Sequence, residues 1–146
     1  MKGINVKSLS AIAALIGAVL AVIAAVGEII YGSMYEQYSD FVVVLCLLGG
    51  AALLVTYAFV DKKIAEWSCL LGVAATGFGL GLFIANSFNV WADTWGNLQQ
   101  YGSLTGAFNF FNSQGGPIPA VIIIVLVLIS AVCGIISCFT GKETAK

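Results

Sequence analysis

Four uninterrupted apolar segments constrain the fold of this chain more than any other feature of its sequence. They cover 9–27, 41–60, 68–85 and 120–139, and all four lack charged residues. About twenty residues, at a rise of about 1.5 Å each in a helix, cross a hydrocarbon core of about 30 Å. The sequence therefore predicts four membrane-spanning segments.

These segments are predicted to be helices even though 120–132 is rich in β-branched residues. A lone strand in lipid leaves its backbone groups unpaired, and a barrel would show alternating segments of about ten residues. Only 9% of the residues are charged, against about 25% in an average soluble domain. We therefore predict an all-α integral membrane four-helix bundle in a single domain, 1–146. Its spans are expected at about 9–31, 41–60, 67–88 and 119–139, with an outer loop at 89–118.

The Lys residues predict the orientation of these spans. All six lie in the N-terminal segment, the 61–66 connection or the C-terminal tail, namely Lys2, Lys7, Lys62, Lys63, Lys142 and Lys146. Four spans place these segments on one side, which the positive-inside rule assigns to the cytoplasm. We expect a multi-pass protein of the cell membrane with both termini cytoplasmic. The first segment also resembles a signal peptide, but it exceeds the usual limit of about fifteen apolar residues, which favours an uncleaved span.

Several function classes are disfavoured by what the sequence lacks. It contains no His and no Arg. This excludes metal sites that use His, catalysis by a His general base and the binding of phosphate by a guanidinium group. It has neither a GxGxxG nor a GxxxxGK[ST] loop, and its net charge of −1 argues against nucleic acid as a partner. The four Cys residues match no metal or redox spacing and are interpreted as packing residues. We predict no catalytic, cofactor-binding or metal-binding residues.

Small residues in the third span predict close helix packing. Gly72, Gly77, Gly79 and Gly81 fall at helical steps that allow neighbouring backbones to approach. Packing within the bundle is favoured over a homo-oligomer face. The large residues at 122–128 of the fourth span are either exposed to lipid or packed against a partner, and the sequence leaves both open.

Glu28 is the one acid inside an apolar span, about one helical turn below the predicted outer interface. An intramembrane acid is a candidate ion- or proton-binding group, and Asn86 is expected at a similar depth. A hydrogen bond between Glu28 and Asn86 would satisfy both side chains. A structural or interfacial role is favoured over a role in transport.

The outer loop contains two candidate partner-binding segments. Trp91, Trp95 and Leu98 follow the spacing of one helix face, which predicts a short amphipathic helix at 90–101 in the outer interface. Further along, aromatic rings alternate with amides at Phe108, Asn109, Phe110, Phe111 and Asn112. This second segment either anchors the loop at the interface or binds a neutral partner.

Together these features favour a non-catalytic accessory or scaffold subunit. It would bind membrane lipid and either another membrane or extracytoplasmic protein or a second copy of itself. The alternative is an oligomeric transporter or channel for a small solute or ion, with Glu28 and Asn86 in the pathway.

Overall fold

The computed structural model of the protein describes residues 9–34, 40–60, 63–96 and 117–140, and each of these stretches holds one helix. The helices are α1 (Leu9–Met34), α2 (Phe41–Phe59), α3 (Lys63–Gly96) and α4 (Pro117–Thr140). Each contains a stretch long and apolar enough to cross a membrane. This confirms the predicted all-α class and the four candidate spans.

The helix ends follow from local chemistry where the sequence supplies it. Asp40 is the N-cap of α2: it is extended, with φ −138° and ψ 105°, and its side chain accepts a hydrogen bond from the backbone N–H of Val42. Val60 ends α2 in an extended conformation while its N–H still donates to the carbonyl of Thr56 at 3.0 Å. Pro117 opens α4, where its missing N–H removes no helical hydrogen bond.

Helix α3 is longer than the predicted span of 67–88. It has 34 residues, which corresponds to about 51 Å against a hydrocarbon core of about 30 Å. Residues 90–96, expected to begin a separate interfacial helix, continue α3 without a break, and 97–101 lie outside the described residues. Trp91 and Trp95 therefore stand on an extension of the third helix.

Each helix packs against two others, in the pairs α1–α2, α2–α3, α3–α4 and α1–α4. Consecutive helices are antiparallel. The end of α1 and the later part of α3 meet the start of α2, whereas the starts of α1 and α3 meet the later part of α4. The four helices thus form an up-down-up-down bundle, with α1 opposite α3 and α2 opposite α4.

The core follows the alternating three- and four-residue spacing of a coiled-coil seam. In α4 the buried positions are Ala120, Ile123, Val127, Ser130, Gly134 and Ser137. Other large residues of the same helix, such as Ile122, Val125, Leu128 and Ile129, are exposed on the outside of the bundle. Within 122–128, Ile123 and Val127 pack inside the bundle, whereas Ile122, Val125 and Leu128 face outward, and for these three residues both predicted alternatives, lipid and a partner, stay open.

Candidate functional site

Three helices meet at Asp40, close to one end of the bundle. The backbone N–H of Asp40 donates to Oε1 of Glu28 on α1 at 3.0 Å. The amide Nδ2 of Asn86 on α3 donates to Oδ2 of Asp40 at 2.7 Å, while Oδ1 of Asp40 accepts from Val42 at 2.9 Å. We call Glu28, Asp40 and Asn86 the Asp40 junction.

The junction changes the predicted pairing of Glu28 with Asn86. Both side chains reach the same place, but each bonds to Asp40, which was not among the predicted site residues. Glu28 supplies from α1 the carboxylate that a capping-box Glu would supply from within α2 itself. Glu28 therefore helps to cap the N-terminus of the neighbouring helix α2.

Glu28 is an acid buried in an apolar part of the bundle. The residue is only 2% exposed, within a helix that is otherwise apolar around it. A carboxylate at a bilayer centre costs about 2.5–3.5 kcal/mol, and less toward the edge. Lys63, the only Lys in the described part of the chain, lies at the far end of the bundle, and the backbone N–H of Asp40 is the group that compensates the Glu28 carboxylate.

Ser87 adds an unsatisfied polar group beside the junction. It follows Asn86 on α3 and is fully buried, at 0% exposure. Its Oγ is the one buried side-chain oxygen or nitrogen without a hydrogen-bond partner among the described residues. A buried hydroxyl left unpaired costs about 1–3 kcal/mol.

A second polar cluster lies at the opposite end and was not predicted from the sequence. Ser10 on α1 hydrogen-bonds the hydroxyl of Tyr57 on α2, and its Oγ also donates to the carbonyl of Ser137 on α4 at 2.9 Å. The hydroxyl of Ser137 returns a bond to the carbonyl of Ser10 at 2.9 Å, and Tyr57 reaches the same Ser137 carbonyl at 3.2 Å. We call Ser10, Tyr57 and Ser137 the Ser10 cluster; it joins three helices. The only sign of it in the sequence is that small polar residues stand at positions of the apolar segments that face the core.

Between the two ends, a single hydroxyl joins α4 to α1. Ser130 is buried and its Oγ donates to the carbonyl of Gly17 at 2.6 Å. A Cβ at Gly17 would lie 3.0 Å from the carbonyl oxygen of Ser130, so the helices are close at this point. Thr76, also buried, instead bonds the carbonyls of Gly72 and Val73 in its own helix.

The four glycines predicted to pack helices divide into two pairs. A Cβ at Gly72 would lie 3.1 Å from the carbonyl oxygen of Gly50, and one at Gly79 would lie 3.0 Å from Cβ of Cys46, so this pair faces α2. A Cβ at Gly77 or Gly81 would meet no atom within 4 Å. The preference for packing within the bundle therefore fits Gly72 and Gly79, whereas Gly77 and Gly81 face away from the described helices.

The structure describes only some of the other predicted site residues. Trp91 and Trp95 belong to α3. The segment with Phe108, Asn109, Phe110, Phe111 and Asn112 lies outside the described residues. Among the residues that are described, no group of three or more His, Cys, Asp or Glu side chains is arranged to hold a metal ion.

Comparison with known proteins found no match for this chain. No family model, no curated protein and no solved structure matches the chain.

Proposed function

We propose that this protein is a non-catalytic accessory subunit of the cell membrane that binds a transmembrane helix of another protein along α3. Both termini would be cytoplasmic, in keeping with the six Lys residues in the terminal segments and the 61–66 connection. The aromatic outer loop would supply further contacts.

One observation carries this proposal: α3 presents glycines to the outside of the bundle. Gly77 and Gly81 are exposed and one turn apart, and exposed Ala74 and Ala85 continue the same helix face in either direction. We call these four residues the open α3 face. Glycine in a helix interior costs about 1 kcal/mol relative to Ala in water, and no contact within the described bundle accounts for it at these two positions.

Such a face suits a second helix. Lipid tails are as apolar as Leu, so helices in membranes associate through small residues that let backbones approach closely. The large residues beside the open α3 face, such as Phe78 at 61% exposure, would flank an incoming helix.

The continuation of α3 links this face to the predicted outer contact. Position 95 comes eighteen residues after position 77, which is about five turns at 3.6 residues per turn. The position of Trp95 therefore shares a helix face with Gly77. A partner helix that follows the open α3 face would reach the aromatic part of the outer loop.

The proposal is tested by purification from native membranes in mild detergent. A tagged wild-type chain is expected to retain another membrane protein in stoichiometric amount. Gly77→Leu or Gly81→Leu should each reduce the recovery of that protein by about tenfold, which corresponds to a loss of about 1.4 kcal/mol in binding free energy. Gly49→Leu is the matched control, because a Cβ at Gly49 on α2 also meets no atom within 4 Å. Equal recovery from all variants, or recovery of the chain alone as a homo-oligomer, would contradict the proposal.

Transport is a second candidate, supported by the burial of Glu28 in the Asp40 junction. A carboxylate at 2% exposure that shares a junction with a second acid is the group to expect in an ion or proton pathway. Under this alternative, proteoliposomes show protein-dependent flux that Glu28→Gln abolishes and Glu66→Gln, at an exposed acid on α3, does not. The accessory role predicts no protein-dependent flux in any of the three samples.

A further inference from the structure

Two cysteines that are far apart in the sequence meet between α3 and α4. The Sγ atoms of Cys69 and Cys138 are 2.9 Å apart, across a sequence separation of 69 residues. Both thiols are free. A disulfide has an S–S distance of about 2.04 Å, so a relative movement of about 0.9 Å would bring these atoms to bonding distance.

Packing fixes the two thiols in this position. The Sγ of Cys69 also contacts the carbonyl oxygen of Gly134, one turn before Cys138, at 3.6 Å. A Cβ at Gly134 would lie 2.5 Å from Cγ2 of Val73, so the two helices approach closely at this level. The thiols are therefore held together by the helix contact itself.

The two thiols differ in exposure, which is one of the properties that decide how readily a cysteine reacts with peroxide. Cys69 is 1% exposed, whereas Cys138 is exposed near the end of α4. An oxidant can reach Cys138 first, and Cys69 is positioned to react with the oxidised sulfur.

We propose that Cys69 and Cys138 are a reversible disulfide site that responds to peroxide. The thiol of Cys138 reacts with hydrogen peroxide to give a sulfenic acid and one water. The thiol of Cys69 then attacks that sulfur, which forms the S–S bond and releases the hydroxyl oxygen as a second water. The two thiols lose two electrons, which reduce the peroxide, and a thiol reductant reverses the bond by exchange.

The bond would add a covalent tie at this end of the bundle. The hydrogen bonds of the Ser10 cluster join α1, α2 and α4, and Cys69 of α3 lies in the same buried group as Tyr57. A Cys69–Cys138 disulfide would attach α3 to α4 at the same end. Its formation does not depend on the proposed accessory role, because it requires only the contact between these helices.

The test uses the full chain in lipid nanodiscs, treated with hydrogen peroxide, quenched, denatured and labelled with a maleimide. Wild type is expected to fall from four labelled cysteines to two, with a mass loss of two hydrogen atoms and full recovery after treatment with a thiol reductant. The Cys46→Ser, Cys133→Ser double variant should still form the bond and fall from two labelled cysteines to none.

Single variants identify the order of the two steps. Cys69→Ser should retain the oxidised sulfur of Cys138, trapped by a dimedone probe, and Cys138→Ser should form no disulfide. The wild-type measurement stands even if the buried Cys69→Ser substitution impairs folding. Four labelled cysteines after peroxide, a bond that involves Cys46 or Cys133, or a bond between two chains would each overturn the proposal.

Discussion

Adjacent glycines on α2 should respond in opposite ways to the same substitution. A Cβ added at Gly50 would lie 2.6 Å from Cγ2 of Thr76, 3.0 Å from the carbonyl oxygen of Gly72 and 3.3 Å from the backbone nitrogen of Thr76. A Cβ added at Gly49 would meet no atom within 4 Å. Gly50→Ala therefore tests the contact between α2 and α3, and Gly49→Ala is its matched control.

The size of the stability loss expected for Gly50→Ala depends on how little the neighbours of Gly50 can move. The hydroxyl of Thr76 bonds the carbonyls of Gly72 and Val73 at 3.1 and 3.0 Å, which holds its methyl group toward α2. Overpacking of this kind costs about 1–3 kcal/mol. Gly49→Ala adds no clash and gains up to about 1 kcal/mol in helix propensity.

The assay is reversible unfolding in mixed micelles by titration with sodium dodecyl sulfate, followed by circular dichroism and Trp fluorescence. Gly50→Ala should lower the free energy of unfolding by about 1–3 kcal/mol, and adding Thr76→Ser, which removes the methyl group and keeps the hydroxyl, should restore part of the loss. A Gly50→Ala protein as stable as wild type would refute the close contact. So would a Gly49→Ala protein that loses as much stability as Gly50→Ala.

The same titration checks three hydrogen-bonded positions. Ser130→Ala removes the bond to the carbonyl of Gly17 and should cost about 0.6 kcal/mol, and at most about 1.7 kcal/mol; no loss would mean that this bond adds nothing to stability. Asp40→Ala should cost about 0.5–2 kcal/mol through the lost N-cap and the lost bond from Asn86, whereas Asp40→Asn, which keeps a capping oxygen, should cost less; equal losses would argue against the cap. Tyr57→Phe should cost about 1 kcal/mol, and a neutral result would mean that the Ser10 cluster does not hold α2.

The apolar segments were sufficient to predict the four helices, because the length of a spanning helix is set by the bilayer and not by tertiary contacts. The same criterion predicted a third span that ends at 88, as the candidate span Ala65–Phe88 does, but it did not predict that α3 continues unbroken to Gly96. The residues up to Gly96 that continue α3 are more polar than the span, and composition alone does not distinguish a helix that projects beyond the apolar layer from a loop.

Contacts between helices were harder to predict, since they depend on the rotation of each helix and on its register against its neighbours. Gly77 and Gly79 are two residues apart and therefore lie on nearly opposite sides of α3, but the sequence does not state which side faces the bundle. Asp40 was not among the predicted site residues, because only the meeting of three helices brings Glu28 and Asn86 to it.

The contact between Cys69 and Cys138 illustrates the same limit. The four Cys residues match no redox spacing and were interpreted as packing residues, but such spacings describe cysteines that lie close together in the sequence. Here the two residues come from antiparallel helices, 69 positions apart, and meet because α3 and α4 pack at Gly134.

Crosslinking in native membranes tests the proposed binding role of the open α3 face most directly. A photoreactive amino acid would replace Phe78, which is 61% exposed beside Gly77, and in a matched control would replace Ile129, which is 45% exposed on α4. We expect position 78 to form an adduct with one membrane protein of a different sequence, and position 129 to form none with that protein. Adducts to the same protein in equal yield from both positions, or an adduct at position 78 only to a second copy of this chain, would contradict the proposed function.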